Sequence, residues 1–114
     1  MASDKRCLRV AEFIRQEAAR VLQRLDNPDN QFFTITRVKV KKDLKSAVIY
    51  FSVLGGEEEK NETLSYLEEV SSYLRREIGK GMHIRYIPEL YFRFDPSIEG
   101  SARIAELLEM TRNE

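Results

Sequence analysis

A chain of 114 residues suits one domain and is long enough to bury a core without disulfides or a structural metal. Hydrophobic residues at 42% exclude a disordered tail, and a single cysteine, Cys7, excludes an intramolecular disulfide and points to a reducing, cytoplasmic home. Nineteen basic residues balance nineteen acidic ones, which argues against a uniformly basic nucleic-acid binder and leaves the distribution of charge to decide.

The opening residues lack the apolar run of a signal peptide, and no later stretch has the apolar length to cross a bilayer, so no membrane partner is expected. From about Ser3 to Leu25 the spacing of Cys7, Ala11, Ile14, Ala18, Val21, Leu22 and Leu25 predicts a helix with one apolar face. Ser3 or Asp4 can cap it, and Asn27-Pro28 is a stop signal. Phe33–Val40 reads as a strand whose alternation changes phase, with Phe33 and Ile35 on one face and Val38 and Val40 on the other. An extra residue near Thr36 would restore the phase as a bulge. Lys41–Lys45 is a turn, and Ser46–Leu54 is a second strand that completes an antiparallel hairpin ending at Gly55-Gly56.

A long helix is expected from about Glu58 to Ile78, with Glu57, Glu58, Glu59 and Glu62 crowded where the helix dipole favours negative charge. Ser71-Ser72 sits mid-helix and can mark a bend. Gly79 is a suitable C-cap. A third strand is read over His83–Phe94, interrupted at Pro88. A final helix opens at Asp95-Pro96-Ser97 and carries Ile98, Ile104, Leu107 and Leu108. The expected architecture is α+β, with helices covering one face of a three-stranded sheet. One domain is expected over residues 1–114, ordered from about 3 to 110. A monomer is expected, since no long exposed apolar seam is left over.

Catalytic signatures are sparse. His83 is the lone histidine, soft metal ligands are too few for a site, and no cofactor is implied. Cys7 falls on an apolar seam, which favours a buried, inert thiol over a nucleophile. Gly79-Lys-Gly81 follows a helix instead of opening one, which favours a turn over a phosphate loop. Most Phe and Tyr residues occupy strand positions that read as core, so no single-strand stacking site is evident.

Charge placement is informative. Arg37, Lys39, Lys41, Lys42 and Lys45 face Asp43 alone across the hairpin turn. In the long helix, Ser72, Arg75, Arg76 and Gly79 lie opposite the Leu67–Leu74–Ile78 seam, with Lys80 at the margin, and Arg85 follows. In the first helix Arg6, Arg9, Arg20 and Arg24 line one flank, with Phe13 among them. Such runs serve either solubility or nucleic acid, and the residues alone leave both open. As a nucleic-acid surface they suit backbone and shape recognition of folded RNA.

Four segments in order resemble one family. Arg9-Val-Ala-Glu-Phe-Ile14 with Glu17, Thr34-Ile-Thr-Arg-Val-Lys-Val40, Asp43-Leu-Lys-Ser-Ala-Val-Ile-Tyr-Phe-Ser-Val-Leu-Gly55, and Arg85-Tyr-Ile-Pro-Glu-Leu-Tyr-Phe92 with Asp95 and Ser97 are similar to the motifs of ribosome-binding factor A, a bacterial small-subunit maturation family. The resemblance implies a type II KH-like fold of order α-β-β-α(kinked)-β-α. It implies a kink at Val70, Ser71 and Ser72, where the family commonly has Ala-x-Gly and this chain lacks the glycine. It also implies binding to the free 30S subunit and 16S rRNA, support for 5′-end maturation of that RNA, no catalysis and no DNA target. The basic positions named above are the candidate RNA-binding surface.

Overall fold

The computed structural model describes residues 2–25, 32–82, 86–97, 104–106 and 108–110. Helix α1 spans Asp4–Arg24; the Ser3 side chain accepts from the Arg6 N–H at 3.1 Å, and Leu25 is already extended. Of the two proposed caps, Ser3 therefore acts. The Asn27-Pro28 stop lies outside the described residues.

Strands β1 (Phe33–Val40) and β2 (Ser46–Val53) pair antiparallel, with a register shift between Ile35 and Arg37. Thr36 is the extra residue. Phe33 and Ile35 before it, and Val38 and Val40 after it, pair with Val53, Phe51, Ile49 and Ala47 and share their face. The bulge thus turns a broken alternation into one continuous apolar surface.

Gly55, at φ +137°, lets the chain leave β2 in a conformation that a side chain would strain. Helix α2 then runs from Glu57 to Gly79, and Glu59 accepts from the Gly56 N–H at 3.1 Å. The helix is unbroken through Val70, Ser71 and Ser72, so any bend at the serine pair is curvature inside a continuous helix.

Strand β3 covers Glu89–Phe94 and pairs parallel to β2, which α2 makes possible as a crossover. It begins later than the expected His83. Pro88 has no N–H to give, and the carbonyls of Ile87 and Pro88 are taken by Arg75. Residues 83–85 lie outside the described residues. The sheet order is β1-β2-β3.

Ile14, Ala18 and Val21 of α1 and Leu67, Leu74 and Ile78 of α2 pack on the face built by Ile35, Ala47, Ile49, Phe51, Val53 and Phe92. Burying each of the Val, Leu, Ile and Phe side chains stabilises the fold by about 1.5–3 kcal/mol. Asp95, Pro96 and Ser97 are not themselves helical, and Asp95 accepts from the Ser97 N–H at 2.9 Å; residues 98–103, where the expected final helix would begin, lie outside the described residues. Residues 104–106 and 108–110 are helical, with Ile104 buried. Ile98 and Leu107 are outside the described set.

Gly79 also departs from its expected role. It is the last helical residue, and Lys80, at φ −59°, ψ −29°, is the C-cap. A Cβ at Gly79 would stand 2.2 Å from Ile87 Cδ1, so glycine here permits the close approach of Ile87, with no left-handed turn involved.

Candidate nucleic-acid interface

The hairpin turn has a defined shape. The Leu44 N–H donates to the Lys41 carbonyl at 2.9 Å, Leu44 adopts φ +59°, and Asp43 accepts from the Lys45 N–H at 2.9 Å. This arrangement leaves Lys41, Lys42 and Lys45 exposed. The start of α1 docks beside the turn: the Ala2 N–H donates to the Lys42 carbonyl at 2.8 Å, Cys7 Sγ lies 3.8 Å from the Lys41 carbonyl, and Lys42 Nζ is 3.4 Å from Asp4. Arg6 and Arg9, exposed on the first turns of α1, thus join lysines more than thirty positions away in sequence. Cys7 is buried at this junction, as its seam position suggested.

The basic flank of α1 continues towards the end of α2. Phe13 packs against Gly81, Arg24 is 4.0 Å from Glu77, and Arg20 pairs with Glu17 at 2.9 Å. Lys80 reaches Glu77 at 2.6 Å, and its hydrogen bond, helped by Arg24 and Arg20, holds the Glu77 carboxyl below its ordinary range. Gly79-Lys-Gly81 is a turn, closed by Gly81 N–H to the Ile78 carbonyl and Met82 N–H to the Gly79 carbonyl. Among the described residues, Arg6, Arg9 and Arg76 have no acidic partner, whereas Arg20, Arg24 and Lys80 do.

Arg75 differs from the exposed position that its place on the helix suggested. Its Nε donates to the Pro88 carbonyl at 3.0 Å and its Nη2 to the Ile87 carbonyl at 2.6 Å. It holds the approach to β3, while Ser72 and Arg76 stay exposed beside it. Ser71, Ser72, Arg75 and Arg76 of α2 face Ile87, Glu89 and Leu90 across an open groove of about 520 Å³. Arg85 lies outside the described residues.

Arg37 and Lys39 belong to a second surface, the sheet face turned away from α1 and α2. Arg37 stacks over the Tyr50 ring, 4.2 Å from its centroid, and lies 3.5 Å from Asp95. Tyr50 is in register with Arg93, and Lys39 and Tyr91 flank Val48 in the next row. Tyr91 is 52% exposed, an exception among the strand aromatics, most of which read as core. Arg93 and Tyr91 are not among the candidate residues above, although alternation places them on one face whether it is counted from His83 or from Glu89. Alternation counted from Glu89 puts Leu90, Phe92 and Phe94 inward and Tyr91 and Arg93 outward.

The helix-strand-strand-helix-strand order, the mixed three-stranded sheet and the basic flanks define a type II KH-like α+β protein. The family model described as ribosome-binding factor A matches residues 6–108. Ribosome-binding factor A of Dictyoglomus thermophilum is 42% identical over 103 residues, 89% of this chain and 86% of that protein. That of Desulforamulus reducens is 43% identical over 101 residues, 88% and 84% of the two chains. The solution structure of a Thermotoga maritima protein of the ribosome binding factor A type superposes with a TM-score of 0.72 at 32% identity, covering 87% of this chain and 95% of that one. A Thermus thermophilus ribosome binding factor A model, fitted into a cryo-electron microscopy map of a 30S complex of that protein, shares the fold at a TM-score of 0.62 and 22% identity, covering 75% of this chain and 91% of that one. This chain belongs to the ribosome-binding factor A family.

Proposed function

We propose that this protein is a non-enzymatic assembly factor of the small ribosomal subunit. It acts as a soluble, cytoplasmic, single-domain monomer, binds the free 30S particle through 16S rRNA, and supports late maturation, including processing of the rRNA 5′ end. Family membership motivates the target, as does the 30S complex of the Thermus thermophilus relative. The observation that carries RNA as the ligand is the docking of α1 on the hairpin turn, which joins Arg6 and Arg9 to Lys41 and Lys42. A basic strip of this kind gains affinity by releasing counterions from phosphates. In this reading Val70, Ser71 and Ser72 are the bend of α2, and Ser72 and Arg76 meet RNA beside it. The buried Cys7 has no catalytic part.

Co-sedimentation with purified ribosomal particles at low salt tests the proposal. The protein should pellet with free 30S subunits and stay in solution with 50S subunits. Failure to pellet with 30S would overturn the reading, and equal affinity for an unrelated structured RNA would replace it with a general KH-like RNA binder.

A further inference from the structure

We infer that the sheet face turned away from α1 and α2 is a stacking platform for single-stranded RNA, an inference that rests on the small-subunit reading above. Two rows cross the three strands on this face. Lys39, Val48 and Tyr91 form one; Arg37, Tyr50 and Arg93 form the other. Residues two apart on a strand lie about 6.6 Å apart and neighbouring strands about 4.8 Å apart, so Tyr91 and Tyr50, on neighbouring strands and in successive rows, stand about 8 Å apart, within reach of two successive bases of an extended strand. The Tyr91 ring, 52% exposed, offers a flat apolar face to one base. Arg37 lies over Tyr50 at 4.2 Å, so the outer plane of its guanidinium offers a face to the next.

Charge selects a polyanion. Lys39 and Arg93 are exposed and have no acidic partner among the described residues, which leaves both for the phosphates between the bases. Among the described residues of the strands and the β3 exit, the acids on this side are Asp95, buried and bound to Thr36, and Glu89, exposed at the start of β3 beyond the two rows. A duplex hides its base faces in its own stack, so the platform fits single strands.

The test uses the full chain and an unstructured oligoribonucleotide of about eight nucleotides, followed by fluorescence anisotropy and by amide shifts in ¹H–¹⁵N spectra. The amides of Tyr91, Arg93 and Lys39 should shift on titration. Tyr91→Ala should weaken binding at least about fivefold, and Tyr91→Phe, which keeps the ring, should stay within about twofold of wild type. Arg93→Glu should also weaken it. Thermal melts of each variant, matching wild type because these side chains are exposed, separate binding from folding. Three results would overturn the platform: no binding of the oligonucleotide by wild type, unchanged affinity for Tyr91→Ala, or equal binding of the same sequence as a duplex. If wild type still pellets with 30S subunits in those cases, the assembly-factor reading stands and only the platform is lost.

Discussion

The Asp95 carboxylate accepts a 2.5 Å hydrogen bond from the Thr36 hydroxyl, which ties the exit of β3 to the bulge of β1. The Ser97 N–H donates to the same carboxylate at 2.9 Å, and Arg37 lies 3.5 Å away. Burial pushes this carboxyl up, but the hydrogen bonds from Ser97 and Thr36, with the charge of Arg37, outweigh it and hold the group below its ordinary range. The extra residue that restores the strand's phase is thus clamped by a charged group fifty-nine positions away in the chain.

Asp95→Asn should therefore cost about 1.5–3 kcal/mol at neutral pH, the usual loss for a hydrogen bond to a buried charge. The sign of the pH dependence follows from the lowered value. The stabilisation is complete above the unfolded carboxyl's value of about 3.9 and is lost as pH falls through the folded one. Urea unfolding of both proteins at neutral pH and at successively more acidic pH should show a gap that narrows only below the ordinary carboxylate range. A gap that does not change with pH would refute the clamp.

Arg75 and Arg76 are neighbours with opposite assignments. Arg75→Ala strips the donors from two carbonyls at the approach to β3, and should cost about 1–3 kcal/mol in denaturant unfolding. Arg76 is exposed and has no acidic partner among the described residues, so Arg76→Glu, which only sets a negative charge against the dipole in the last turn of α2, should change stability by less than about 1 kcal/mol and should weaken 30S binding. A destabilised Arg76→Glu with intact binding would reverse the assignment.

Gly79→Ala pits two effects against each other. Alanine improves the helix by about 1 kcal/mol, while its Cβ drives into Ile87 Cδ1 and Cγ1, an overpacking that costs about 1–3 kcal/mol. Net destabilisation is expected in thermal melts. Adding Ile87→Val, which removes Cδ1, should recover most of it. A stabilised single variant would show that Ile87 moves aside freely.

These three sites also mark what the sequence could and could not disclose. The Thr36 bulge was legible because Phe33, Ile35, Val38 and Val40 must share one face, and only an added residue makes them do so. The basic runs were legible as charge, and their meeting followed from α1 docking on the turn. The role of Arg75 was not legible, because a side-chain bond to carbonyls twelve and thirteen residues away leaves no periodic trace. Gly79 looked like a cap because glycine has two uses, and only the position of Ile87 tells them apart. The exposure of Tyr91 was not legible, because an aromatic on an alternating strand fits either face, and only the packing of the helices on the side of Leu90, Phe92 and Phe94 decides it.

The central claim is that RNA is held where α1 meets the hairpin turn. Its most direct test is the salt dependence of 30S binding for wild type and for the double variant Lys41→Glu, Lys42→Glu. Both lysines are exposed, and the Lys42–Asp4 pair at 3.4 Å contributes little to stability, so the variant should fold normally. Wild type should show a steep fall of log affinity with log salt, and loss of two phosphate contacts should flatten that slope by about 1.5 while weakening binding at every salt concentration. A double variant with wild-type affinity and an unchanged slope would contradict the claim.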